Sequence, residues 1–292
     1  MSGTVVDTDG SGLEGATIVA THTPTGTKYG AIAREGGRFN LPNMRVGGPY
    51  LISVSYTGYT RLEVEGVFLR LGEEFRQDFT LSESSLELEE VLITSRSGTS
   101  GSNSGTSTQI TSSDIEVVPT LNRDLADYVR LTPQSTGYAG GTSFGGVNNR
   151  YNAIYIDGAV NNDVFGLASS GTNGGQTGTA PFSVDIIDQF QVVLSPYDVT
   201  LGGFAGGGVN AVTKSGTNEF KGTAYYFLQN ESMVGKTNTT LTDRTGSEPS
   251  AVAPFSQNLY GASLGGPIVK DKVFFFVNAE FQQDATPAPF DF

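Results

Sequence analysis

Apolar and polar positions alternate in short runs along most of this chain, and turn residues interrupt them at close intervals. Over residues 1–82 the alternation recurs at Thr4–Val6, Ala16–Thr21, Gly30–Ala33, Arg38–Leu41, Tyr50–Tyr56, Glu63–Phe68 and Phe75–Leu81. Asp7–Gly12, Pro24–Gly26 and Gly36-Gly37 carry turn chemistry between them. About seven strands at ~8–12-residue spacing is the pattern of a small all-β sandwich. Eighty residues are just enough to close such a core.

The pattern then changes twice. Leu86–Thr94 is a short acidic–apolar segment, and Ser95–Ser107 is a Gly/Ser/Thr/Asn stretch without a large apolar residue, the composition of a flexible linker. Beyond it, Ser113 or Asp114 can cap a short turn that Pro119 breaks, and Asn122 can cap a helix over Arg123–Leu131 that Pro133 stops. Asn152–Asp157, Gln189–Leu194 and Val209–Thr213 read as strands. Gly137–Gly146 and Gly166–Thr179 are Gly-rich loops too long to be simple connectors. Residues 108–217 are therefore α+β with conspicuous loops.

From residue 218 onward the runs lengthen. Val273, Phe275, Val277, Ala279 and Phe281 alternate with Phe274, Phe276, Asn278, Glu280 and Gln282, an apolar row on one face and a face turning polar on the other. Phe220–Gln229 and Asn258–Gly265 come close to the ~9–11 residues a tilted membrane strand needs. The long polar connection Asn230–Gln257 and the short Gly266–Lys272 match the loop asymmetry of a membrane barrel. A soluble core strand would carry the same apolar row, so periodicity leaves both readings open.

Composition narrows the chemistry. With no Cys and one His, disulfide frameworks, Cys-based zinc sites, thiol nucleophiles and His-rich metal cages are excluded. Seventeen basic against thirty acidic residues offer no electrostatic footprint for nucleic acid. No apolar stretch approaches the ~18 residues of a spanning helix, and Met1–Gly10 lacks the basic start and apolar core of a secretory leader.

Individual motifs add little catalytic promise. Asp7–Gly12 fits the first half of a calcium loop, but position twelve is Ile18 where a bidentate Glu belongs, so a turn is expected. Gly202–Gly208 lacks the Lys-Ser/Thr of a phosphate loop at the right spacing, which leaves a tight turn or close packing. His22, at a strand end before Pro24, reads as a solvent-facing turn residue. No carboxylate pair has positional support as an acid/base couple, so neither a catalytic residue nor a cofactor or metal site is expected.

Taken in order, the segments resemble the front of a TonB-dependent outer-membrane receptor of the Oar-like branch. Gly3–Asp7, Leu13–Ile18, Gly37–Leu41, Gly47–Tyr50 and Val54–Tyr59 resemble the carboxypeptidase regulatory-like sandwich, a non-catalytic module despite its name. Leu88, Glu89, Glu90, Val91, Leu92, Ile93 and Thr94 are similar to the TonB-box position, where an extended peptide pairs with the periplasmic energy coupler by strand addition. Tyr155–Gly158, Asp188–Val193, and Leu201–Asn218 followed by Phe220–Phe227 closely resemble the plug and its junction with the barrel. Leu264–Ile268 and Lys272–Phe276 look like early barrel strands.

The implied architecture is β-rich and α+β: a small β-sandwich, an α+β plug domain, and the first antiparallel strands of an incomplete transmembrane β-barrel. The expected division is a sandwich at 1–85, a TonB-box-like segment and linker at 86–107, a plug at 108–217, and about three barrel strands at 218–292. A barrel of about 22 strands needs far more chain than follows Asn218, so a fragment or split gene is expected. The implied function is ligand-gated, energy-coupled uptake across the outer membrane, with a structural or adhesive surface protein as the alternative. Implied partners are a TonB-type periplasmic coupler, outer-membrane lipid, an extracellular ligand of unassigned chemistry and, where one exists, a surface lipoprotein. Tyr138, Phe144, Asn148 and Asn149, in or beside the first Gly-rich loop, are the ligand-contact candidates.

Overall fold

A computed structural model describes residues 1–84, 91–94, 106–118, 120, 123, 125–138, 141–163, 182–195, 201–236 and 252–285. Strands β1 (Ser2–Asp7), β2 (Thr17–His22), β3 (Thr27–Ile32), β4 (Arg38–Asn40), β5 (Gly47–Ser55), β6 (Leu62–Leu69), β7 (Phe79–Leu81) and β8 (Val91–Thr94) form two sheets. Their orders are β4-β1-β7 and β3-β2-β5-β6-β8. Alternation drives the packing. Ile18 and Ala20 of β2 and Tyr50, Ile52 and Val54 of β5 turn inward to meet Val5, Phe39, Phe79 and Leu81 of the other sheet. The Phe39 and Phe79 rings stack with centroids 5.8 Å apart. In the Asp7–Gly12 turn, the Asp7 carboxylate accepts from the backbone N–H groups of Asp9 and Ser11, each at 2.9 Å, which is the work of an Asx turn.

The expected Phe75–Leu81 run is a strand only from Phe79. Before that, backbone bonds from Ser2 N to Phe75 O and from Gln77 N to Ser2 O, both 3.0 Å, hold the segment to β1 without regular pairing. His22 is a correction. It is 4% exposed, its ring 5.0 Å from that of Tyr50, with Nδ1 2.7 Å from the Thr25 hydroxyl.

The next layer comprises β9 (Ser107–Thr111), α1 (Ser112–Val117), α2 (Leu125–Val129), β10 (Ser135–Tyr138), β11 (Gly141–Phe144), β12 (Ala153–Ile156), β13 (Ala159–Val160), β14 (Ile187–Val193) and β15 (Gly208–Thr213). Five strands make one mixed sheet, β13-β12-β15-β14-β9, in which β12 and β15 run parallel. Phe190, Val192, Val209 and Ala211 of the sheet and Ile115, Tyr128 and Val129 of the helices share one core. Thr111 caps α1, and the Asp114 carboxylate accepts from its N–H at 2.9 Å and its hydroxyl at 2.7 Å, bonds that hold the Asp114 pKa down. The helix expected over Arg123–Leu131 is shorter, and its cap at Asn122 lies outside the described residues. Gly137–Gly146, read as a loop, instead contributes to the hairpin β10–β11.

The last sheet is the antiparallel meander β16 (Lys221–Asn230), β17 (Ser256–Val269) and β18 (Val273–Ala285), with a one-turn helix, α3 (Glu231–Val234), after β16. No closed barrel is present among the described residues. The expected turn Gly266–Lys272 is tighter than the pattern indicates. Ladder pairing continues through a bulge at Pro267/Val269, and Asp271, at φ 60°, makes the reversal.

Candidate functional site: the plug against the barrel strands

The long strands turn two unlike faces outward and inward. Val277, Phe281, Tyr260, Leu264 and Tyr226 are exposed large apolar residues on one face. Register aligns Tyr226, Tyr260 and Phe281 in one row across β16, β17 and β18, and the last two rings stack 5.6 Å apart. Such an aromatic row beside aliphatic residues suits a membrane boundary.

The opposite face carries a row that meets the middle layer. Tyr225, Gly261 and Glu280 are register partners on β16, β17 and β18. The Tyr225 hydroxyl reaches over β17 and donates to Glu280 Oε2. Gly261 makes this possible, since a Cβ there would lie 2.4 Å from the Tyr225 oxygen. The same Glu280 oxygen accepts from Ser183 Oγ at 2.7 Å, and Ser183 belongs to the plug sheet's entry into β14. Ser183 Oγ also accepts from Asp185 N at 3.2 Å, capping the 3-10 turn Val184–Ile186. Arg123 completes the contact. Its guanidinium grips both Asp185 oxygens at 2.8 and 2.7 Å and sits over the Tyr225 and Phe227 rings, 5.1 and 4.4 Å from their centroids. A carboxylate on the inward side of a strand whose other face is apolar thus holds two hydroxyl donors, and a cation covers the neighbouring rings.

The sequence places Glu280 on the polar-turning face of its strand and Arg123 at a helix start; Ser183, Asp185 and Tyr225 as their partners are not legible in it. The legible signal is Glu280 itself, since a carboxylate on the same strand face as Phe274 and Phe276 needs a polar partner.

At the junction, Asp157 and Gly158 take φ 49° and 82° in the β12–β13 turn. The Asp157 carboxylate accepts from Thr213 N at 2.9 Å and Thr213 Oγ1 at 2.8 Å, tying that turn to the end of β15. Close approach explains Gly207 in the glycine run before β15, because a Cβ there would lie 2.4 Å from the Phe144 ring. Phe144 is 2% exposed and belongs to the core, so as a ligand-contact candidate it is corrected: its ring has no free surface. Asn148 is exposed, its Oδ1 accepting from Arg150 N at 3.0 Å, and Asn149 begins the turn Asn149–Tyr151. Tyr138 ends β10. Gly166–Thr179 lies outside the described residues.

Of the coupler candidates, Leu88, Glu89 and Glu90 lie outside the described residues. Val91, Leu92, Ile93 and Thr94 are the four residues of β8, parallel to β6. The first layer touches the second directly. Leu71 N donates to Gln189 Oε1 at 3.3 Å, Gln109 Nε2 donates to Leu71 O, and Arg45 Nη2 donates to Ser215 Oγ. Asn218 N donates to Pro24 O at 2.8 Å, and its side chain pairs reciprocally with Asp271 at 2.7 and 2.8 Å. A cleft of about 820 Å³ lies among these parts, lined by Arg45, Arg70, Lys214, Lys221, Glu116 and Asp188 among others. Burial pushes the Asp188 carboxyl up, against the pull of Arg45 and Lys214. Among the described residues no group of three or more His, Cys, Asp or Glu side chains could hold a metal ion.

Two family models match the ends of the chain: the carboxypeptidase regulatory-like domain over residues 1–82 and the outer membrane beta barrel domain over residues 212–290. The TonB-dependent transporter Oar of Myxococcus xanthus is 31% identical over 160 residues, covering 53% of this chain and 14% of that protein. These matches support reading the chain as a fragment of a TonB-dependent receptor. A second relative, the probable TonB-dependent siderophore receptor PirA of Acinetobacter baumannii, is 27% identical over 177 residues, 56% of this chain and 21% of that receptor. The solved siderophore receptor PirA from Acinetobacter baumannii overlays with a TM-score of 0.44 at 23% identity, over 60% of this chain and 24% of that one. The outer membrane transporter YddB from Escherichia coli gives 0.42 at 23%, over 61% and 26%. The chain thus spans between a seventh and about a fifth of the curated relatives' lengths. Its location is the outer membrane, in keeping with the apolar outer face of β16, β17 and β18.

Proposed function

We propose that this chain is the amino-terminal part of a receptor that takes up an extracellular ligand across the outer membrane, gated by ligand and driven by a TonB-type periplasmic coupler. In this reading it comprises a sandwich at 1–85, a coupler segment and linker at 86–107, a plug at 108–217 and the first barrel strands at 218–292. The observation that carries the reading is the bonded seam between plug and strand wall. Ser183, Arg123 and Asp185 on one side meet Tyr225, Phe227 and Glu280 on the other. A plug held by a few side-chain bonds can be shifted without unfolding the wall. The chain moves a ligand rather than transforming it. Leu88–Thr94 receives the coupler, and Tyr138, Asn148 and Asn149 are the ligand-contact candidates that remain.

The test is deletion of Leu88–Thr94 in the full receptor. Loss of binding to the purified periplasmic domain of the coupler, with loss of ligand-driven uptake, is expected. Undiminished coupler binding would overturn the segment assignment. Uptake that persists without coupling would overturn the transport mechanism and favour a surface structural role. A ferric siderophore is a reasonable first probe, since one relative is named for that ligand class.

A further inference from the structure

We propose that the amino-terminal sandwich is a clamp on the resting plug: it stands on the strand wall, grips the plug sheet, and must let go of the plug before the plug can move. The release step rests on the receptor reading above; the grip itself does not.

The footing on the wall is a rigid turn. Between β2 and β3, backbone bonds from Thr25 N and Gly26 N to His22 O, at 3.2 and 2.8 Å, close the reversal. Thr25 is 3% exposed, and its hydroxyl bonds His22 Nδ1 at 2.7 Å and the Thr27 hydroxyl at 2.9 Å. The buried His22 thus fixes the shape of a turn whose outer side meets the wall. Pro24 O accepts from Asn218 N at 2.8 Å, just before β16. Gly26, at φ 67°, lies against the β17–β18 reversal, where a Cβ would stand 2.4 Å from Asp271 Oδ1. Arg45 adds its bond to Ser215 Oγ. The next residue, Gly216, is pressed on the wall, since a Cβ there would lie 2.3 Å from Phe275 O.

The grip on the plug is of a different kind. Phe190 and Val192 of β14 point into the plug core, so Gln189 and Gln191 share the opposite face, beside Gln109, the register partner of Gln191 on β9. The Leu71–Gly72 turn after β6 settles on these three amides. Leu71 N donates to Gln189 Oε1 at 3.3 Å, and Leu71 O accepts from Gln109 Nε2. Gly72, at φ 70°, touches Gln191 so closely that a Cβ would lie 2.2 Å from its Oε1. Yet Gln109 Oε1 and Gln191 Oε1 are buried with no hydrogen-bond partner among the described residues. Release exposes both to water, which offsets part of the two bonds lost. The wall joint carries no such orphan among the described residues, so the plug joint is the one that opens.

Amide exchange in the detergent-solubilised full receptor tests the grip. Gly72→Ala forces a methyl into the Gln191 amide at a φ that side chains resist. It should speed exchange of β9 and β14 at least about fivefold while β2 and β5 keep their rates. A variant lacking residues 1–82 should do the same, and it decides alone if Gly72→Ala also quickens β2 and β5. Unchanged exchange of β9 and β14 overturns the clamp.

Two disulfides test the release, and these 292 residues contain no cysteine to compete. Gly72→Cys with Gln191→Cys ties sandwich to plug. Gly26→Cys with Asp271→Cys, whose Cβ atoms would lie 3.3 Å apart, ties it to the wall. The readout needs no ligand: channel openings of the full receptor in a planar bilayer, counted in mild urea. Oxidising the first pair should cut openings at least about tenfold, with recovery in reductant, and oxidising the second should leave them within about twofold. Openings indifferent to the plug lock, or stopped by the wall lock, overturn the release step. Deleting residues 108–217 separates the two layers of argument. A steady pore there with openings indifferent to the plug lock sinks the release step alone. No pore sinks the receptor reading, and exchange still decides the grip.

Discussion

The bond between Ser183 and Glu280 joins a plug hydroxyl to a carboxylate of the strand wall, with the Tyr225 hydroxyl 3.2 Å from the same Ser183 oxygen, and its strength can be measured by a mutant cycle. Ser183 Oγ lies 2.7 Å from Glu280 Oε2, and Ser183 is 7% exposed. A hydrogen bond to a charged acceptor of this kind contributes about 1.5–3 kcal/mol. Ser183→Ala also loses the cap on the Val184–Ile186 turn, worth about 0.5–2 kcal/mol within the plug itself. Glu280→Gln keeps an acceptor but loses the charge that serves both Ser183 and the Tyr225 hydroxyl, so it should cost at least as much as the loss of the one bond. A double-mutant cycle with S183A and E280Q removes the cap term and isolates the coupling, expected at about 1–2 kcal/mol. The assay is amide hydrogen exchange of β14 in the detergent-solubilised full receptor. Every ~1.4 kcal/mol appears there as about a tenfold faster exchange. A coupling below about 0.3 kcal/mol, with both single variants still loosening β14, would refute the seam as the element that holds the plug.

Two further outcomes follow from neighbouring geometry. Gly261→Ala places a Cβ where the Tyr225 hydroxyl passes, 2.4 Å from it, and should release β14 to the same degree as Tyr225→Phe; an effect absent in both would remove Tyr225 from the seam. For His22, burial first and Arg45 second lower the pKa to about 4, below the ordinary 6.5. The unfolded sandwich therefore takes up a proton that the folded one refuses. Stability is full above about pH 6.5 and falls as the pH drops toward 4, by an amount on the order of 1–3 kcal/mol. Calorimetry of the sandwich transition should show this slope, and His22→Gln should flatten it; an unchanged slope would refute the assignment to His22.

Much of the architecture was legible because alternation has a short period. Residues two apart share a face whatever the rest of the chain does. That is why Ile52 and Val54, or Val277 and Phe281, could be assigned to their sides from the pattern. Elements whose ends depend on distant partners were less legible. The helix at Arg123–Leu131 shrank to Leu125–Val129, and the Gly137–Gly146 loop contributed strands to the hairpin β10–β11, because its glycines could pair as readily as turn. Phe144 looked like contact surface in a loop and is instead core, since only the folded chain brings the bare backbone of Gly207 against its ring.

By itself, then, the sequence determined the class of the protein: strand-rich, acidic, free of cysteine, with a lipid-competent face and a family resemblance carried by ordered motifs. Tertiary structure alone decided what the polar groups do. His22 left the surface for the sandwich core because Tyr50 and Thr25 close over it. Glu280 found Ser183, nearly a hundred positions earlier, because the plug turn is seated against β18. Val91–Thr94 became the edge of a sheet because β6 offered an unpaired side. Periodicity is a local property and survives in one dimension. The partner of a carboxylate or of a strand edge is fixed by the chain's return through space, and no spacing in the sequence encodes it.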